Sequence, residues 1–360
     1  MLTPRTLRIL HFNPWAGAPE DASSYLARLP DCDLSSKVSN PKDSRLIRMA
    51  RLDCDWYGEC TRCFARMEAP NIRFEPAQVF GPRGTLDLLS ILRSQGTQVE
   101  SWLIFTGQHP QMLEPALVQF LSLFRRIGGR VLYYAFDEAS RTMPCFNGLA
   151  PHLDVLIHDE LPLAPVGQSR LRPDSLVRHR SWVANVVPFA APFHEAPEAK
   201  IIFLGSQLGL TPHRQRQIDH LKKHFKDRFI ASCDHSVSVD SRYNLNRYKV
   251  GLCPEGRKFT TPTMALSHTD RPFWSGCLGQ VPVSEDSAGG GRLESLHQAD
   301  LIRRYAHGDL SSLTQACEEA LETGDEERRR IYDHFNRQET VGGVTAEALI
   351  NWGLHQQRDA

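Results

Sequence analysis

The sequence predicts an α/β chain of two Rossmann-like domains with a cleft between them, and three observations predict it. Short apolar runs alternate with stretches of helical periodicity through both halves of the chain. Each run is followed within two residues by Gly, Pro, Asn or a charged residue, the punctuation of strand-to-helix turns. A Pro/Ala-rich stretch with little periodicity, at 186–199, separates the halves. Strands that alternate with helices build parallel sheets covered on both faces.

In the first half, Leu7 to Phe12 reads as a buried strand closed by Asn13-Pro14. Trp102 to Phe105 is a second strand, followed by Thr-Gly-Gln-His-Pro. Leu113 to Ile127 has helical periodicity and stops at Gly128-Gly129, and Val131 to Phe136 and Val155 to Ile157 supply two more strands. The boundary is placed near residue 196, giving an N-terminal domain over 1–195 and a C-terminal domain over 196–340. In the second half Ile201 to Leu204 is a strand, Gly205 to Pro212 a loop and His213 to Phe225 a basic, polar helix. Past Asp300 the pattern is strongly helical, and no tandem repeat is present.

With 360 residues, 41% of them hydrophobic, the chain has material for two cores. No apolar run approaches the roughly 20 residues that span a bilayer, and the N-terminus lacks the pattern of a cleaved leader, so a cytoplasmic protein is expected. The 42 basic and 42 acidic residues cancel, which argues against global recruitment of polyanions. Locally, residues 211–258 carry eleven Lys or Arg against five Asp or Glu, with Tyr243 and Tyr248 interleaved. Such a region serves a nucleotide diphosphate, a nucleic acid, or only solvation.

The nine cysteines are scattered, unlike a disulfide scaffold. Cys54, Cys60 and Cys63 cluster, but no fourth zinc ligand lies at ribbon or finger spacing, so reduced, partly buried thiols are expected and no metal is assigned.

Residues 248–286 are the most informative stretch. Val250 to Cys253 is an apolar run broken by Pro254, and Val281-Pro282-Val283 is another, reached through Gly279, which has the place of a helix C-cap. Between them Ser267 or Thr269 can cap a helix that carries Arg271 in its first turn and buries Phe273, Cys277 and Leu278. A β-loop-α-β unit offers backbone N–H groups and basic side chains to an anion such as a diphosphate. The planar fork of Arg271 suits phosphate, and the alternative is a surface Arg bonded to a nearby Asp.

The run Arg271-Pro272-Phe273-Trp274-Ser275-Gly276-Cys277-Leu278-Gly279-Gln280-Val281-Pro282-Val283 resembles the donor-binding segment of GT-B glycosyltransferases, the exostosin-like group in particular. Leu252-Cys253-Pro254-Glu255-Gly256 resembles the loop that precedes it there. The resemblance implies GT-B architecture, with the nucleotide-sugar in the C-terminal domain, the acceptor in the N-terminal domain and a last helix, within 341–360, that crosses back to the first domain. It departs at Trp274, where many such enzymes hold an acid on the ribose; ribose binding is then either lost or moved to Glu285 or Asp286, and packing in the core is the alternative for Trp274.

The implied donor-binding residues begin with Gly205 and Ser206, which resemble the family's glycine loop and read equally as a tight strand-to-helix turn. Arg214, Arg257 and Lys258 join Arg271 as the diphosphate candidates, Lys258 being favoured among the three because it follows the Cys-Pro-Glu-Gly loop, and Glu255, Gly256, His268 and Glu285 complete the set. The function implied is transfer of a sugar, a hexosyl group by preference, from a nucleotide-sugar co-substrate to an acceptor hydroxyl. No cofactor or essential metal is called for, because oriented positive groups meet the leaving diphosphate. If configuration inverts, a base is needed: Asp137, just after the strand 131–136, is preferred, with His109 second and the His158-Asp159-Glu160 cluster third. Asp137 is equally suited to capping a helix, and a retaining enzyme needs no base. The acceptor is left open among a glycan, a small molecule and a modified nucleic acid. Two other readings stand beside this one: a nucleic-acid-binding protein using the basic region, or a glycosyltransferase acting on modified DNA bases; and a non-catalytic GT-B-like sugar-binding protein.

Overall fold

The computed structural model describes residues 4–13, 16–28, 58, 60–94, 99–106, 115–135, 148–158, 171–179, 192–205, 210–232, 244–255, 271–286 and 292–358. The chain forms two compact units, one of residues 1–179 with 341–360 and the other of 180–340. Residues 192–199, within the Pro/Ala-rich stretch, belong to the second unit. One link is the buried Arg328 guanidinium, which donates to the His194 carbonyl at 3.0 Å.

The first unit is a mostly parallel sheet. Its strands are β1 (Arg5–Phe12), β2 (Glu20–Asp21), β3 (Ile72–Phe74), β4 (Gln78–Phe80), β5 (Glu100–Thr106), β6 (Arg130–Ala135), β7 (Val155–His158) and β8 (Leu176–His179). The order is β2-β4-β1-β5-β6-β7-β8, with β3 also on β1, and the β2–β4 pair is the antiparallel one. β3 and β4 share one side of β1, at Arg5–Leu7 and Leu10–Phe12, as two pieces of an interrupted strand. The helices are α1 (Ala22–Arg28), α2 (Thr85–Ser94) and α3 (Pro115–Arg126), and α3 ends where Gly128 takes a φ of 87°. Leu88, Leu92, Phe120 and Phe124 from α2 and α3 meet Leu103, Phe105, Val131 and Tyr133 from the sheet in one core. The Asp154 carboxylate, without exposed surface, accepts from Val131 N at 2.9 Å and is flanked by Arg125, Arg130 and Arg172.

The second unit has five strands, β9 (Glu198–Leu204), β10 (Phe229–Ser232), β11 (Tyr248–Cys253), β12 (Val281–Glu285) and β13 (Arg303–Tyr305), all parallel in the order β10-β9-β11-β12-β13. Its helices are α4 (Pro212–Phe225), α5 (Arg271–Cys277), α6 (Arg292–Gln298), α7 (Leu310–Glu322) and α8 (Asp325–Gln338). β13 corrects the expectation of helix throughout the region past Asp300. Its three residues, too few to show alternation, pair Val283–Glu285 of β12, and Leu301, Ile302 and Tyr305 are buried beside them.

The last helix, α9 (Val341–Arg358), belongs to the first unit. Tyr134 donates to the Val341 carbonyl at 3.2 Å, Arg5 donates to the Leu349 carbonyl at 3.3 Å, and Trp352 meets Trp102 edge-on with centroids 6.0 Å apart. No helix among the described residues is long and apolar enough to cross a membrane.

Small residues let α5 lie close on its neighbours. A Cβ at Gly251 of β11 would come within 2.3 Å of Ser275 Oγ, and one at Gly276 within 2.3 Å of the Phe335 ring of α8. Phe335 is fully buried and has nowhere to go. Gly276→Ala is therefore expected to destabilise the second unit by about 1–3 kcal/mol, the usual cost of overpacking, seen as a lower denaturation midpoint at unchanged slope; an unshifted midpoint would show the α5–α8 contact to be loose.

Candidate functional site

In a parallel sheet the carboxyl ends of all strands share one edge, and ligands bind there where the strand order reverses. In the second unit the reversal lies between β9, whose other neighbour is β10, and β11. The residues at that edge are Leu204 at the end of β9 and Gly205 after it, Pro254 and Glu255 after β11, Glu285 at the end of β12, and the turn 306–309 after β13.

Two arginines converge on the switch point. α4 begins with Thr211 as its cap, whose Oγ1 accepts from Arg214 N at 3.2 Å, with Pro212 in the first turn, where its missing N–H is no loss. The Arg214 side chain, 6% exposed, crosses to β11 and donates from Nη2 to the Pro254 carbonyl at 3.1 Å. Arg271, the first residue of α5, donates from Nε to the Leu204 carbonyl at 3.2 Å and lies 5.8 Å over the Phe203 ring. Burial lowers the Arg214 pKa to about 10, and the Arg271 charge pushes it the same way, against the opposing pull of Glu255 and Glu285. Arg214 stays charged at neutral pH, and two like charges share one corner of the fold. An anion placed there relieves their repulsion.

Gly205 lies against the same corner. A Cβ there would come within 2.4 Å of the Phe203 ring, the ring beneath Arg271, so glycine lets β9 end close to the arginine.

Glu285 gathers the neighbouring elements. It has no exposed surface. Its Oε2 accepts from Glu255 N at 3.0 Å, and its Oε1 accepts from Gln217 Nε2 at 3.0 Å and from Gly308 N at 3.2 Å. His213 Nε2 lies 2.6 Å and His307 Nδ1 3.0 Å from the same Oε1. Tyr305, whose phenol burial pushes up, donates to Gln217 Oε1 at 3.2 Å. The carboxylate thus ties α4, the β11 loop and the turn after β13 to β12.

Of the residues expected in the site, Gly205, Arg214, Glu255, Arg271 and Glu285 stand together along this edge. Ser206, Gly256, Arg257, Lys258 and His268, and the base candidates Asp137 and His109, lie outside the described residues, as do Asp159, Glu160 and Cys54. Cys60 and Cys63 are buried in a helical turn, and His158 is buried at the end of β7. His213, Gln217 and His307 were not foreseen. His213 and Gln217 are one helical turn apart, a weak signal that could have been read; His307 is brought in by β13 alone.

Trp274 is half-buried and packs on the cluster of Ile202, Leu245, Tyr248 and Leu278.

No family profile and no curated protein sequence matches the chain. Among solved structures it is similar to HepE of Anabaena in complex with UDP and glucose, at a TM-score of 0.42 and 10% identity over 97% of this chain and 99% of that one. It is also similar to a chain of the glycosylation-associated protein Gap123 complex of Streptococcus agalactiae, with a TM-score of 0.44 and 12% identity over 74% of this chain and 57% of the other. A third is the lipopolysaccharide outer core galactosyltransferase WaaB in its apo form, with a TM-score of 0.40, 10% identity, and coverage of 96% and 99%. None of these likenesses reaches a level that speaks to the chemistry of the site.

Trp274→Ala is expected to cost about 2–3 kcal/mol in unfolding free energy, the lower range for a large aromatic because the ring is only half-buried. A loss of a few tenths would place the ring outside the core and reopen a direct role in the site.

Proposed function

We propose that this chain is a glycosyltransferase of GT-B type that takes its sugar from a nucleoside-diphosphate donor held at the switch point of the second unit. The observation that carries this reading is the pair Arg214 and Arg271, each bonded to a main-chain carbonyl at the carboxyl edge between β9 and β11. Bonds to carbonyls orient a guanidinium without cancelling its charge. Donors fixed in this way meet the charge that grows on a departing diphosphate without reorganising, so the reading needs no essential metal for the transfer. Gly205 allows the donor near the β9 end, and Ser206, Gly256, Lys258 and His268 are assigned to the same site by sequence. Glu255 and Glu285 hold the loops: the Glu255 main-chain N–H on the Glu285 carboxylate fixes the β11 loop relative to β12.

The acceptor belongs, in this reading, to the first unit. There Asp137, two residues beyond β6, is assigned as the base that takes the acceptor hydroxyl proton, with His109 as the alternative. The sugar, a hexosyl group by preference, breaks its anomeric bond to the diphosphate as the acceptor oxygen bonds to the anomeric carbon and its proton passes to Asp137.

Arg271→Ala is expected to weaken binding of a UDP-, GDP-, ADP- or dTDP-sugar by roughly 1.5–3 kcal/mol, about 10- to 150-fold, read by calorimetry on whichever donor a thermal-shift panel selects. The variant should melt near the wild-type temperature, and unaltered donor affinity in a folded variant would remove the main support for the reading. Asp137→Asn is expected to lower turnover by roughly 10²–10⁴-fold with donor affinity nearly intact. A near-normal rate would mark Asp137 as a helix cap, because Asn caps as well as Asp, and would move the base to His109 or the mechanism to retention.

A further inference from the structure

We propose that His213, Glu285 and His307 form a binding site for a divalent transition-metal cation of the zinc kind at the carboxyl edge of the second unit. One ligand atom from each converges within 4.8 Å of the other two. Two imidazole nitrogens and a carboxylate oxygen make a donor set that zinc accepts with a fourth position left to water. The two rings stack with centroids 4.6 Å apart and 24° between planes, so that His213 Nε2 and His307 Nδ1 approach one carboxylate oxygen together.

The convergence of three ligand atoms carries the argument. Gln217 Nε2 donates to Glu285 Oε1 at 3.0 Å, which fixes the amide orientation, since an amide oxygen there would face a carboxylate. The same amide nitrogen lies 3.0 Å from His213 Nε2. Gln217 Nε2, His213 Nε2 and Glu285 Oε1 therefore crowd one point, with the amide serving the carboxylate. His213 Nε2 stands 2.6 Å and His307 Nδ1 3.0 Å from Glu285 Oε1, positions where a shared proton or a shared cation can sit. A metal cation there would take the place of the shared protons and meet all three ligand atoms at once. Neutral imidazole and ionised carboxylate are the states in which these groups ligate a metal.

The surroundings supply the outer support that metal ligands require. Glu285 is further held by the main-chain N–H groups of Glu255 and Gly308, and Gln217 by the Tyr305 hydroxyl. The His213 side chain is 25% exposed and that of His307 is 50% exposed, which gives the cation a way in from solvent. Bound there, it would clamp the turn after β13 to α4 and β12. This inference stands whether or not the chain transfers sugars.

The test is titration of the chelator-stripped full chain with Co2+, followed by visible absorption, and with Zn2+, followed by metal-to-protein ratio after gel filtration. One equivalent should bind, with ligand-field bands of a four- or five-coordinate ion and no thiolate charge-transfer band. His307→Ala, which alters a half-exposed side chain and leaves the fold in place, should lose roughly tenfold or more in affinity, and His213→Ala likewise. Zinc should raise the melting temperature of the wild type and leave that of His307→Ala unmoved. Failure to retain either metal, a thiolate spectrum, or affinity unchanged in both variants overturns the proposal.

Discussion

The second unit is organised around a carboxylate buried where carboxylates are costly. Glu285 ends β12 with no exposed surface, and an ionised group there is tolerable only if its oxygens find donors. They find them on separate elements: the Glu255 N–H from the β11 loop, the Gln217 amide from α4 and the Gly308 N–H from the turn after β13. Two loops and a helix that would otherwise be independent at the edge of a sheet are therefore held in one arrangement. Removing the carboxylate would strand those donors as well as lose the bonds, which makes the arrangement all-or-none.

The arginine pair depends on that frame. Arg214 leaves α4 one residue after His213 and reaches the Pro254 carbonyl, immediately before the Glu255 that Glu285 holds. Arg271 reaches the last carbonyl of β9 from the start of α5, and α5 is set by Gly251 and Gly276 against β11 and α8. The positive corner at the switch point is thus a product of sheet order and close helix packing, with Glu285 fixing the loops on one side and small residues fixing the helix on the other.

The first unit solves the same burial problem differently. Asp154 is also without exposed surface, but three arginines from outside the core surround it, together with the Val131 N–H. Burial pushes its carboxyl pKa up while the Arg125 contacts and the Val131 N–H oppose that push, so the charges pin the start of β6 to the start of β7. At Glu285 the partners are a side-chain amide, main-chain groups and imidazoles, which orient the carboxylate.

The alternation of β1, β5, β6, β7, β9, β11 and β12 with helices was legible in the sequence, because strands buried on both faces read as apolar runs and their ends carry Gly, Pro or Asn. Arg271 and Gly279 were legible for the same local reason: a helix start and a left-handed cap each demand particular residues. Other features were decided only by tertiary structure. β13 is three residues long and exists because β12 offers it an edge. Trp274 stands in a donor-segment pattern, yet its ring is taken up by Ile202, Leu245, Tyr248 and Leu278, residues that no local spacing connects to it. The company Glu285 keeps is the clearest instance. His213 and His307 are brought to one carboxylate oxygen from opposite ends of the unit's sequence by the order of its strands, and local periodicity carries no information about which strand ends will be neighbours.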